Sequence, residues 1–179
     1  MALTQYLVAS SLDGFIADED DNLDWLLSMP GGDDEANPYP AFIEDVGALA
    51  MGATTYEWIR AHHPGEWFYG DRPTWVFTHR DLPRIEGATL HLTDAPALQV
   101  HAEMLAAAGG RNVWLVGGGE LVGQFLDDDL LDELIVSVTP VLLGRGAPLL
   151  PRRRTEPMRL ISAIASPAHT FVHLHYSLR

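Results

Sequence analysis

Gly117, Gly118 and Gly119 stand between an apolar run, Asn112–Val116, and a helix-forming stretch, Glu120–Leu126. Three residues without side chains at such a junction let the backbone come close to a ligand. The first turn of the helix adds unpaired N–H groups and a partial positive charge. A dinucleotide pyrophosphate suits that junction, and so does a tight strand-to-helix turn with nothing bound. Gly117, Gly119 and Gly123 also fit a GxGxxxG variant of the Rossmann fingerprint, but that motif belongs to the first βα unit and is followed about 20 residues on by an acid at a strand end. Here the next strand ends Val138-Thr139-Pro140, so Rossmann topology does not explain the triplet.

Other chemistries fall away on composition. The chain has no cysteine and no lysine, which removes thiolate nucleophiles, cysteine-held metals, Schiff bases and a lysine-bearing phosphate loop. His173-x-His175 points two imidazoles to one face of a strand without a third ligand in view, and no metal is expected. Arg152-Arg153-Arg154 reads as a solvated loop or an interface edge. The net charge is −14, and residues 1–59 hold twelve acids and no cation. No nucleic-acid or anionic-membrane surface is expected, and a secretory leader would lack its positive segment. The apolar run Leu134–Leu143 is far short of the ~20 residues of a spanning helix. The reading is a soluble, cytoplasmic protein.

The elements that must position the glycines alternate. At 179 residues and 47% apolar, residues 1–179 make a single domain. Strands are predicted at Leu3–Ala9, Ala48–Met51, Thr74–Thr78, Thr89–Leu92, Asn112–Val116 and Glu133–Thr139. Helices are predicted as a short turn at Leu23–Leu27, at Ala41–Val46, after Gly52 with Thr54 or Thr55 as N-cap and Tyr56 and Ile59 facing inward, at Pro96–Ala108 and at Glu120–Leu126. Asp18–Asn37 is mainly loop. Leu160–Ala165 and Thr170–Leu178 form a closing antiparallel pair. The fold class is therefore α/β, a mostly parallel central sheet with an antiparallel C-terminal edge, flanked by helices.

Four segments, in order, carry a family resemblance. They are Val8–Ala17 with Ser11-Leu12-Asp13-Gly14-Phe15-Ile16-Ala17, Met51-Gly52-Ala53-Thr54-Thr55-Tyr56-Glu57, Val76-Phe77-Thr78-His79-Arg80, and Val113–Leu121 continuing through Gln124-Phe125-Leu126. Together they resemble the dihydrofolate-reductase-like proteins. The Ser-Leu-Asp-Gly opening and Thr139–Leu149 are more similar to the reductase domain of the bacterial riboflavin deaminase-reductase and its stand-alone relatives. The linked deaminase holds zinc with cysteine and histidine, so only the reductase half fits.

The resemblance implies an NADPH site. Ala9 and Ile16 would meet the nicotinamide through their backbone. Gly52, Ala53, Thr54 and Thr55 would lie at a helix N-terminus against the phosphates. Phe77, Thr78, His79 and Arg80 would surround the 2′-phosphate, where a guanidinium reads phosphate bidentately. Val116, Gly117, Gly118, Gly119, Glu120 and Leu121 would cradle the pyrophosphate. Ala53 and Glu120 stand where many relatives carry cations. Hydride transfer to an imine or carbonyl calls for a proton source, for which Asp13 and Asp24 are candidates beside Trp25 as a flat wall; Asp13 before Gly14 reads first as a turn former. A ribosyl phosphate would want Arg60, Arg72 or Arg145 near the entrance.

The expected activity is NADPH-dependent reduction of a small nitrogen heterocycle or its ribosylamino adduct, like 5-amino-6-(5-phosphoribosylamino)uracil. A cofactor-binding protein without turnover and a true dihydrofolate reductase stay open as alternatives. In dihydrofolate reductases an acid follows the tryptophan by a few residues, and none lies between Trp25 and Gly32 here. The expected partners are a small-molecule substrate and a second copy in a homodimer, paired through Val136–Leu150.

Overall fold

The computed structural model describes residues 2–32 and 34–179. β1 (Thr4–Ser10) lies between β6 (Asn112–Gly117) and β7 (Glu133–Val138) and runs parallel to both. On the far side of β6, β3 (Val46–Gly52), β4 (Thr74–Phe77) and β5 (Leu90–Thr93) follow in parallel. β10 (Val172–Ser177) adds antiparallel to β7 and carries β9 (Arg159–Ala165) at the edge. The order is β5-β4-β3-β6-β1-β7-β10-β9, the mostly parallel sheet with an antiparallel edge that the sequence predicts.

Burial on both faces explains the uninterrupted apolar runs of the central strands. Along β3, Ala48 and Ala50 pack with Tyr6, Val113 and Leu115 beneath α4 (Ala97–Ala107) and α5 (Gly119–Asp127). Leu49 and Met51 point the other way, toward Val76, Trp114 and the Tyr56 and Ile59 side chains of α3 (Ala53–His62). Truncating a fully buried ring such as Phe125 of α5 to alanine costs about 3–5 kcal/mol. Two short helices, α1 (Asp24–Leu27) and α2 (Tyr39–Glu44), interrupt the acidic connection between β1 and β3.

Three details depart from the sequence reading. Gly52, not Thr54 or Thr55, caps α3, and no side chain bonds the cap. A second, two-stranded sheet pairs β2 (Phe15–Ala17) with β8 (Ala147–Pro148). The first part of the Val136–Leu150 segment is an interior strand, since β7 sits between β1 and β10 with Leu134, Ile135 and Val136 buried. Beyond β7 the segment carries the exposed Leu142, and a further exposed apolar set lies on the edge strand β9, where Leu160, Ile161 and Ile164 are 43–52% exposed. Among the described residues, no helix is long and apolar enough to cross a membrane.

Candidate functional site

A cavity of about 770 Å³ opens where the carboxyl ends of β1 and β6 meet the N-termini of α3 and α5. Crevices at the carboxyl ends of parallel strands, where neighbouring connections leave to opposite sides, are the usual ligand sites of such sheets. Leu7, Val8 and Ala9 of β1 and Trp114 and Val116 of β6 form one wall. Ile16 and Ala17 reach it because Ser11 N–H donates to the Phe15 carbonyl at 2.8 Å and folds β2 back along β1.

The two helix N-termini converge. A Cβ on Gly52 would come within 3.9 Å of both the Gly117 carbonyl oxygen and the Gly118 nitrogen. Neither α3, capped by Gly52, nor α5, capped by Gly118, has a side-chain cap, so their first-turn N–H groups lack that partner. Thr54 and Thr55 of α3 and Gly118, Gly119 and Glu120 of α5 all line the cavity.

The glycines divide their labour. Gly117 has φ +151°, a backbone region that side chains rarely enter. Gly118 faces open space, with nothing within 4 Å of its Cβ position. Gly119 is required by packing, because a Cβ there would strike the Pro148 carbonyl of β8, and at Gly123 it would strike the Arg152 guanidinium. Leu121 is a core side chain under the sheet. Glu120, the acid where a cation was wanted, is paired with Arg152 at 3.0 Å, and Arg152 also bonds Asp127 at 2.7 Å. That arginine straddles α5 and offsets the acid beside the cradle.

Phe77, Thr78, His79 and Arg80, the residues expected at the 2′-phosphate, lie outside the cavity wall, at and just past the end of β4. Thr78 Oγ1 accepts the Arg80 backbone N–H at 3.0 Å, and Arg80 grips Glu57 of α3 bidentately at 3.1 and 2.6 Å. His79 is exposed, Phe77 packs its ring edge-on against Phe125 in the core, and Ala53 packs against the α3 core.

None of the three residues nominated beside the reacting carbon lines the cavity. Asp13 accepts from the Ser11 hydroxyl at 2.6 Å and from the Leu143 and Gly144 backbone N–H groups at 3.1 and 2.7 Å. The Ser11 hydrogen bond, reinforced by those two, holds its carboxyl below the usual carboxylate range. It is a loop tie, the turn-forming alternative of the sequence reading. Asp24 is exposed at the start of α1, bonded to Asn22, and the Trp25 indole donates to the Asn22 carbonyl at 3.2 Å. Leu23, Leu26 and Leu27 supply the α1 wall instead. Besides Glu120, the carboxylate at the cavity is Asp21, whose φ of 57° turns the chain there, and nothing in the run of acids from Asp18 to Asp24 distinguishes it by type.

The opposite end of the cavity is aromatic, which sequence reading missed. Trp114 donates its indole N–H to the Leu7 carbonyl at 3.1 Å, and the rings of Tyr39, Phe42 and Tyr69 meet it edge-on at 5.5–5.7 Å. Trp114 lies in the middle of an apolar strand and reads as core; only the distant Tyr39 and Tyr69 make it a cavity wall. His173 and His175 have separate partners, Ser137 at 2.8 Å and Glu133 at 3.0 Å.

A mostly parallel sheet, a glycine turn into α5 and a crevice at the β1 and β6 ends define a dihydrofolate-reductase-like α/β protein. The model of the RibD C-terminal domain matches residues 53–164. A protein of Bacillus subtilis (strain 168), the uncharacterized YwjB, is 38% identical over 147 residues, 82% of this chain and 81% of that one. The chain belongs to the RibD C-terminal domain family. A Shewanella sp. PV-4 protein described as belonging to riboflavin biosynthesis is 28% identical over the full length of both chains, with a TM-score of 0.82. Acinetobacter baumannii RibD shares the fold at 16% identity and a TM-score of 0.66, and this chain spans 58% of its length.

Proposed function

We propose that this chain is an NADPH-dependent reductase of a small nitrogen heterocycle. The observation that carries the reading is the pair of helix N-termini without side-chain caps, α3 and α5, meeting at Gly52 and Gly118 beside an apolar cavity. Backbone N–H groups and two positive dipole ends at one place suit a pyrophosphate. When bound, NADPH supplies a hydride.

The chain's residues divide the remaining tasks. The Thr54, Thr55, Gly118 and Gly119 backbone would hold the phosphates, while Ala9, Ile16 and Val116 would flank the nicotinamide and keep water away. Thr78, His79 and Arg80 would meet the 2′-phosphate once Arg80 exchanges Glu57 for it. Asp21, or a water it orients at the cavity rim, would deliver the proton that follows the hydride. A reductase drawing on the reduced nicotinamide pool works in the cytoplasm. The unpaired, apolar edge of β9 suits a second copy of the chain, because a bare edge strand otherwise invites aggregation.

A melting scan tests the cofactor assignment. At 100 times its dissociation constant a ligand adds about 2.7 kcal/mol, so NADPH should raise the melting temperature clearly and NADH less. Arg80→Gln should bring the two shifts together. Equal shifts in the wild type would remove Arg80 from the site, and no shift from either cofactor would remove the function.

A further inference from the structure

The cavity differs in charge from what a sugar phosphate would require. Among the described residues that line it there is no arginine and no histidine, and the chain has no lysine. The acids at its wall are Asp21 and Glu120, the second offset by Arg152, which is itself not part of the lining. The arginines that the sequence allows near the entrance are engaged or elsewhere. Arg72 donates to the backbone carbonyls of Val46, Tyr69 and Ile43, each at 3.0 Å, and so fixes the aromatic wall rather than a ligand. Arg145 pairs with Glu19 at 3.3 Å, and Arg60 lies on α3 away from the lining.

The groups that do face the space favour an uncharged ring. Leu23, Leu26 and Leu27 cover one side; Tyr39, Tyr69 and Trp114 close another. Burial pushes the phenols of Tyr39 and Tyr69 above their usual range, so both keep their protons to donate. The Asn37 amide, which also lines the cavity, is already occupied by the Gly32 carbonyl at 2.6 Å and the Tyr39 N–H at 2.9 Å.

Resting on the reductase reading, we infer that the substrate is a flat, uncharged heterocycle that carries no phosphate. Aromatic walls offer it van der Waals contact, and the two phenols offer hydrogen bonds to ring carbonyls or nitrogens. With the helix N-termini taken by the cofactor, a substrate phosphate at the aromatic and leucine-lined end would be an unpaired charge among apolar groups, which typically weakens binding at least about 100-fold.

The test is a calorimetric titration of the NADP⁺-loaded protein with lumazine, an uncharged pteridine, and with 5-amino-6-(5-phosphoribosylamino)uracil. Lumazine should bind at least about 100-fold more tightly. Tyr69→Phe should weaken lumazine about 5- to 10-fold while leaving the NADPH melting shift unchanged. Leu27→Arg, which places a cation on an exposed part of the α1 wall, should recover binding of the phosphorylated compound. Equal or tighter binding of the phosphorylated compound by the wild type, or no measurable binding of lumazine, overturns the inference. The NADPH melting shift reports separately on the reductase reading, so the two can fail independently.

Discussion

Replacing Gly118 by aspartate separates a ligand-facing glycine from a packing glycine. The residue has φ −75° and ψ 171°, extended backbone, and its Cβ position meets nothing within 4 Å. The substitution should therefore leave the fold in place, which the melting transition without cofactor checks. Against a pyrophosphate, a carboxylate about 4 Å away at a near-surface dielectric adds roughly 4 kcal/mol of repulsion, close to 1000-fold in affinity. At a concentration 100 times the wild-type dissociation constant, the stabilisation by NADPH should fall from about 2.7 to below about 0.1 kcal/mol. In a domain of this size that is a shift of roughly 5–11 °C reduced to almost none. Gly119→Ala is the counterpart, costing about 1–3 kcal/mol of fold stability through its collision with the Pro148 carbonyl. Scanning calorimetry with and without NADPH reads both. A Gly118→Asp variant that folds and keeps the full NADPH shift would show that the glycines only turn the chain.

Light scattering should give twice the 19.7 kDa chain mass for the wild type, and Ile164→Asp on β9 should return the single-chain mass; a monomeric wild type refutes the pairing. Dihydrofolate should turn over slowly or not at all, because Asp24 is exposed outside the cavity and no acid lies on its α1 wall. Brisk turnover that collapses in Asp24→Asn would place that acid at the ring after all. Burial holds the imidazoles of His101 and His173 below the ordinary histidine value. The unfolded chain then takes up protons first as pH falls through about 6.5, so stability present above that pH is lost below it. Melting temperature should drop between about pH 7.5 and about pH 5.5, less so in His173→Asn, and a flat profile in the wild type would contradict this.

Much of the architecture was legible because the central strands are buried on both faces and their apolar runs are bounded by glycine and proline. What escaped depended on partners far along the chain. β2 and β8 are three and two residues long, and their pairing is fixed by a register between Phe15 and Pro148 that no local pattern announces. Thr54 and Thr55 were natural caps by type, yet α3 begins at Gly52 and leaves its N-terminus without a side-chain cap. The glycine triplet was visible as a unit, whereas the distinction between Gly118 and Gly119 needs the Pro148 carbonyl, which arrives from β8. Arg80 could be recognised as a cation and Glu120 as an acid, but their ion pairs to Glu57 and Arg152 lie 23 and 32 residues away.

The same distant partners govern when the molecule becomes competent. Asp13 is tied to Gly144 across 131 positions, Leu12 N–H reaches the Val141 carbonyl, and Leu149 N–H reaches the Gly14 carbonyl. The turn that sets Ile16 against the crevice and the strand that covers Gly119 are thus one zipper joining segments far apart along the chain. Contacts so separated along the chain form late, because a large loop must close before they return any stability. A ribosome-bound chain that has emerged only through β7 has its sheet centre and its glycine turn, but the crevice still lacks its floor. Cofactor binding should therefore mark completion of folding, and adding NADPH to refolding protein should slow unfolding more than it speeds the first collapse.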